Sequence, residues 1–108
     1  MNILLISPPG NYESLKTNLI NHPSVIVEIW DELRFLSLII NNPMAFDFIL
    51  FDRHWNTDAI NIDHTIFHFR QILLKKNPSV QFYLLGKPIQ TLSSFCFITQ
   101  RSLIEKLD

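Results

Sequence analysis

Residues 46–52 read FDFILFD, five apolar side chains broken by Asp47 and closed by Asp52. A run this short and this apolar suits a strand buried on both faces of a sheet, since a half-exposed strand would alternate apolar with polar residues. Strands of that kind are found where the sheet is parallel and covered by helices on both sides. The segments on either side should then alternate between short apolar runs and helical periodicities, and they do.

Upstream, residues 2–7 (NILLIS) form a continuous apolar run stopped by Pro8, Pro9 and Gly10. Residues 11–22 place Tyr12, Leu15 and Leu19 on one helical face, with Lys16, Asn18 and Asn21 turned away from it. His22-Pro23 ends that helix, because the proline ring disfavours a helical conformation in the residue before it. Residues 24–30 (SVIVEIW) read as a second strand, and Asp31 is a natural N-cap for a helix over 32–42 that Asn41, Asn42 and Pro43 terminate.

Downstream of FDFILFD, a polar loop from Arg53 to Asp58 leads into a helix from Ile60 to Lys76, with Ile62, Ile66, Phe69 and Leu73 as its core stripe. Asn77-Pro78-Ser79 ends it, and residues 80–86 (VQFYLLG) form a fourth strand. Eight residues, Lys87 to Ser94, then precede FCFIT at 95–99. That is too few for a crossover helix of ordinary length, so the fourth crossover is expected to be shortened or the fifth strand to join irregularly. Arg101 to Leu107 makes a short final helix. The order β-α-β-α-β-α-β predicts a doubly wound, flavodoxin-like α/β fold with a five-stranded parallel sheet.

The 108 residues suffice for one domain, and a 47% hydrophobic content with nine Phe supplies an ordinary core. We expect a single domain over 1–108, either whole or the N-terminal module of a longer protein. The formal charge is −1 and the nine Lys/Arg are scattered, which argues against a phosphate-backbone binder. No apolar run approaches the roughly 20 residues that span a bilayer, and the start lacks the features of a signal peptide. A single cysteine, Cys96, precludes an internal disulfide and reads as a small buried hydrophobe in an apolar strand. The expected setting is cytoplasmic, with neither nucleic acid nor membrane as partner.

In parallel α/β sheets, ligands and reacting groups gather beyond the carboxyl ends of the strands. That rule gathers Ser7-Pro8, Trp30-Asp31, Asp52, Gly86-Lys87 and Thr99-Gln100 at one rim. The stretch from Asn2 to Asp52, NILLISPPGNYESLKTNLINHPSVIVEIWDELRFLSLIINNPMAFDFILFD, resembles the first half of a response-regulator receiver domain, without a gap. The resemblance extends over roughly residues 2–86. It implies that Asp52 stands at the phospho-acceptor position ending the third strand.

The resemblance also marks departures. Ser7 and Pro8 occupy the places of the acidic pair that would hold magnesium, and Gly86 replaces the Ser or Thr that would read the phosphoryl group. Thr99 and Gln100 stand where a Lys-Pro pair would follow the fifth strand, while Lys87-Pro88 follows the fourth. Phosphoryl transfer depends on a hard cation to neutralise developing charge, so these losses imply a pseudo-receiver.

Other constellations are weaker. His64 and His68 have a helical metal-ligand spacing, with His54 and Asp63 near in sequence, but residues 64, 68, 71 and 75 also form the polar face opposite the core stripe. No metal site and no cofactor are expected. The opening ILLISPPG, the stretch KNPSVQFYLLGKP and Asp52-Arg53-His54 also resemble parts of cobalamin-binding domains, although the chain has only two glycines. The segment 32–42 carries more apolar residues than one buried stripe needs, and Trp55 follows Asp52 in a loop. Phe35, Leu38, Ile39 and Trp55 therefore either pack against neighbouring loops or form a partner-binding patch. The function expected is a non-enzymatic interaction module in signalling or transcriptional regulation, binding a protein partner or a second copy. The alternatives are a phospho-accepting receiver using Asp52 and a small module for a cobalamin- or nucleotide-type ligand.

Overall fold

The computed structural model describes residues 1–56 and 61–108. Its centre is a five-stranded, all-parallel sheet in the order β2-β1-β3-β4-β5. The strands are β1 (Asn2–Ile6), β2 (Ile26–Trp30), β3 (Phe48–Phe51), β4 (Gln81–Leu85) and β5 (Cys96–Ile98). Three α-helices, α1 (Glu13–Asn21), α2 (Ile62–Lys76) and α3 (Gln100–Leu107), and two 3-10 helices, Leu33–Ile40 and Gln90–Leu92, connect or follow them. This is the flavodoxin-like doubly wound architecture that the alternation of segments predicts.

FDFILFD forms the centre of the sheet. Phe48, Ile49, Leu50 and Phe51 are all buried, and they pair in register with β1 on one side and β4 on the other. Alternation along the strands splits the core in two. Ile3, Leu5, Phe48 and Leu50 pack with Leu15 and Leu19 of α1 and Leu103 of α3. Leu4, Ile6, Ile49 and Phe51 pack with Ile39, Ile66, Phe69, Leu73 and Leu92 on the opposite face. Chain direction explains which connection lies where. From β1 the chain steps outward to β2, then reverses past β1 to β3, β4 and β5, and right-handed crossovers require the reversed steps to run over the other face.

The second connection is a 3-10 helix, not the α-helix expected over 32–42, and Glu32, not Asp31, is its N-cap, without a side-chain hydrogen bond. The spacing of bulk explains the tighter winding. Leu33, Leu36 and Ile39 recur every three residues, the period of a 3-10 helix, and line up against the core. Ile39 is 2% exposed and belongs to the core, which corrects its place in the expected surface patch, whereas Leu38 on the same segment is 48% exposed. Phe35 and Trp55 are partly buried and pack against the same cluster.

The fifth strand joins the sheet regularly. Only three residues pair, Tyr83 with Cys96, Leu84 with Phe97 and Leu85 with Ile98, so β5 begins opposite the middle of β4. The returning chain recovers roughly 7 Å, about two residues' rise, and the single turn Gln90–Leu92 suffices. Cys96 lies at this outer edge and is exposed, not buried as its apolar neighbours suggest, because α3 covers Ile98 further along the strand. Asn61 caps α2 by accepting from His64 N–H, and Ile66, Phe69 and Leu73 carry the expected core stripe with Ile62 packed at its margin. The expected helix start at Ile60 and the loop end at Asp58 lie outside the described residues. No helix among the described residues is long and apolar enough to cross a membrane.

The contrast between Ile39 and Leu38 has a measurable form. Ile39→Ala leaves a cavity in the core and is expected to lower unfolding free energy by about 3 kcal/mol. Leu38→Ala, at an exposed position, is expected to lower it by less than about 1 kcal/mol in the same denaturant titration.

Candidate functional site

The carboxyl ends of β1 and β3 are adjacent, and the strand order reverses at this point. Crevices at such reversals are where α/β sheets present their functional groups. Ser7 and Asp52 continue the two strands by one residue. Asp52 N–H donates to Ile6 C=O at 2.8 Å, and Ser7 N–H to Trp30 C=O at 3.0 Å, so the ladder fixes both backbones.

Asp52 has no solvent exposure. Its Oδ2 accepts from Ser7 Oγ at 2.9 Å and from Asn11 Nδ2 at 3.1 Å. Its Oδ1 accepts from the backbone N–H of His54 at 2.9 Å and lies 3.2 Å from His54 Nδ1. Asn11 Nδ2 also donates to His54 C=O at 2.9 Å, so one amide joins the loop after β1 to the loop after β3. Trp55 Nε1 donates to Asp52 C=O and closes the loop over the strand end. Arg53 turns away and grips Asp63 in the first turn of α2, with Nη2 at 2.9 and 3.1 Å from its two carboxylate oxygens.

The loop from β1 to α1 is shaped to reach this group. Gly10 adopts φ +91°, open to glycine and strained for other residues, and donates its N–H to Glu13 Oε1 at 2.7 Å. That bond, then the charge of Lys16, holds the Glu13 carboxyl below its ordinary value. Tyr12 caps the helix in the left-handed region at φ +53°, which a bulky residue enters only where its surroundings fix it. Lys16 corrects the expectation that it faces away from the core: it is buried, and its Nζ donates to Pro8 C=O at 2.9 Å. Long helical side chains lean toward the N-terminus of their helix, which carries this ammonium back to the rim.

Gly86 ends β4 with φ +119°, and a Cβ placed there would lie 3.9 Å from the Tyr12 hydroxyl. Thr99 caps α3 through Oγ1, which accepts from Ser102 N–H at 3.2 Å. Gln100 borders a shallow depression with Gly10, Asn11, Tyr12 and His54. Lys87 is exposed, and Asp52 draws its side-chain hydrogen bonds from Ser7, Asn11 and His54. His64 and His68 are exposed on α2, away from this group, and help to line an apolar cleft against the first 3-10 helix. Among the described residues, no three His, Cys, Asp or Glu side chains are placed to share a metal ion.

The structure thus brings Ser7, Asp52 and His54 together and adds Asn11, Tyr12 and Lys16. Asn11 is the residue that sequence spacing does not single out. Its only signal is its place directly after Pro-Pro-Gly, where a side-chain amide can bridge back to a strand end.

Burial first, and the negative charge of Asp52 second, push the Tyr12 phenol above its ordinary value of 10.0. The folded protein therefore holds this proton where the unfolded chain releases it. The stabilisation is complete below about pH 10 and is lost as pH rises through the higher folded value. Melting temperature followed between about pH 8 and 11 should fall more steeply in the wild type than in Tyr12→Phe.

The chain matches no family model, no curated protein and no solved structure.

Proposed function

We propose that this chain is a receiver-like, non-enzymatic interaction domain of signalling or transcriptional control, working through protein contacts and not through aspartyl phosphorylation. The observation that carries this reading is the state of Asp52: 0% exposed, with both carboxylate oxygens already accepting hydrogen bonds. A carboxylate that attacks phosphorus needs an accessible oxygen lone pair in line with the leaving group. Ser7, at one position of the absent acidic pair, points its hydroxyl at Asp52 and supplies a proton in a place where a cation would be needed. Gly86 supports the same reading, because its φ of +119° is one that a Ser or Thr rarely adopts.

The interaction half of the proposal is supported by apolar surface on the opposite flank. Leu38 and Ile40 of the first 3-10 helix are exposed, and Ile40 with the partly buried Leu36 and Ile72 borders the cleft between that helix and α2, beside Ser37, His64, Thr65 and His68. Contiguous apolar area of this kind commonly marks a contact surface for a partner protein or a second copy.

Beryllofluoride with Mg²⁺ tests the first half. Amide resonances of Ser7, Asn11 and His54 are expected to stay in place in a heteronuclear NMR titration, and an adduct at Asp52 would sink the proposal. For the second half, light scattering at high concentration is expected to show an associated species. Ile40→Glu should reduce it to the monomer, because a charge cannot be buried unpaired in an apolar contact.

A further inference from the structure

The cleft between the first 3-10 helix and α2 encloses about 390 Å³, a volume in the range of hollows that hold small molecules. Leu36, Ile40 and Ile72 form its apolar sides, with the buried Ile39 and Phe69 at its base. Ser37, His64, Thr65 and His68 complete the lining. In a hollow that is otherwise apolar, a few polar groups decide which end of a ligand goes where.

Hydrogen bonding sorts these four side chains. Ser37 Oγ donates to Arg34 C=O at 3.3 Å and Thr65 Oγ1 donates to Asn61 C=O at 3.1 Å, so both hydroxyl protons are committed to backbone. Among the described residues, histidine ring bonds are made by His22 and His54, which leaves the exposed rings of His64 and His68 as the uncommitted donors of the cleft. The two stand one turn apart on α2, on the same face. Each imidazole carries an N–H even when neutral, and two such donors match the two oxygens of one carboxylate.

Charge points the same way. The lining of the cleft contains no acidic residue. Asp63, adjacent in sequence to His64, is held by Arg53 Nη2 at 2.9 and 3.1 Å. Further along α2, the adjoining hollow is bordered by His68, Gln71, Ile72, Leu74 and Lys75, which adds a cation and again no acid. The local field of this flank therefore favours an anion. A phosphate is the poorer match, because the lining has neither an Arg fork nor a glycine turn to surround a dianion.

We propose that this cleft binds a small amphipathic monocarboxylate, its apolar part along Leu36, Ile40 and Ile72 and its carboxylate hydrogen-bonded by His64 and His68. Leu38 lies outside the lining, and the inference does not rest on self-association.

The test is a heteronuclear NMR titration of the full chain at neutral pH with sodium hexanoate and, in parallel, with 1-hexanol, which has the same chain length and no charge. Hexanoate is expected to shift Leu36, Ile40, His64, His68 and Ile72 saturably and to bind about tenfold more tightly than hexanol, as charge-assisted hydrogen bonds predict. That comparison uses the wild type alone. His64→Ala/His68→Ala, two exposed positions, should bring hexanoate down to the affinity of hexanol. Equal affinity for the two probes, no saturable shift at these residues, or an unchanged preference in the double variant would overturn the inference. Titration below the concentration at which light scattering detects association keeps the outcome separate from the preceding reading.

Discussion

A carboxylate removed from water has to be met by hydrogen-bond donors, and the rim of this protein is arranged around that requirement. Left unmet, the burial of Asp52 would be prohibitive, because an unpaired ion in a protein interior carries a penalty of several kcal/mol. The donors come from two loops that the strand order places side by side: Ser7 and Asn11 after β1, His54 after β3. Each donor constrains its own stretch of backbone. To bring Asn11 over Asp52, the chain turns at Gly10 with a positive φ, and Tyr12 is left in the left-handed region at the head of α1. Lys16 then ties the start of that helix to the Pro8 carbonyl. Much of the local geometry, some of it strained, follows from where one side chain is buried.

The same constraint separates this rim from one built for aspartyl phosphorylation. A phosphorylatable aspartate must stay open to solvent and share its neighbourhood with a cation. Asp52 is instead neutralised in part by neighbouring N–H and O–H groups, which asks for a closed, dry strand end. Ser7 fits the second arrangement well, since a hydroxyl can donate to a buried carboxylate where a second carboxylate would repel it. Gly86 fits it for a different reason: the chain leaves β4 in a conformation open to glycine and passes near the Tyr12 hydroxyl.

Much of this fold was legible because burial on both faces writes itself directly into a sequence. FDFILFD, NILLIS and VQFYLLG have little polar content because they have little solvent contact, and they fall where β3, β1 and β4 lie. The connections were less legible. The segment 33–40 has apolar residues at spacings compatible with either helix type, and packing of Leu33, Leu36 and Ile39 selects the 3-10 form. Cys96 has the neighbours of a buried residue but starts an edge strand, and exposure there depends on register, which no local pattern records. At the site, Asp52, Ser7 and Gly86 were legible from position alone. Asn11 and the inward reach of Lys16 were not, since both depend on how a turn folds back in three dimensions.

The partial register of β5 gives the sheet a taper. Toward the strand carboxyl ends all five strands are paired, while β4 begins at Gln81 with β3 alone beside it. β1 and β3 are flanked on both sides along their paired lengths, so the strands carrying Ser7 and Asp52 form the most tightly bonded part of the molecule. Opening of a native protein proceeds from its least supported units, and a three-residue edge strand followed by an eight-residue helix is such a unit here. In hydrogen-exchange terms, the amides of β5 and α3 are expected to open by local excursions, and those of β1 and β3 to exchange only with unfolding of the whole domain. On that expectation the rim that holds Asp52 is anchored at the slowest-opening end of the fold.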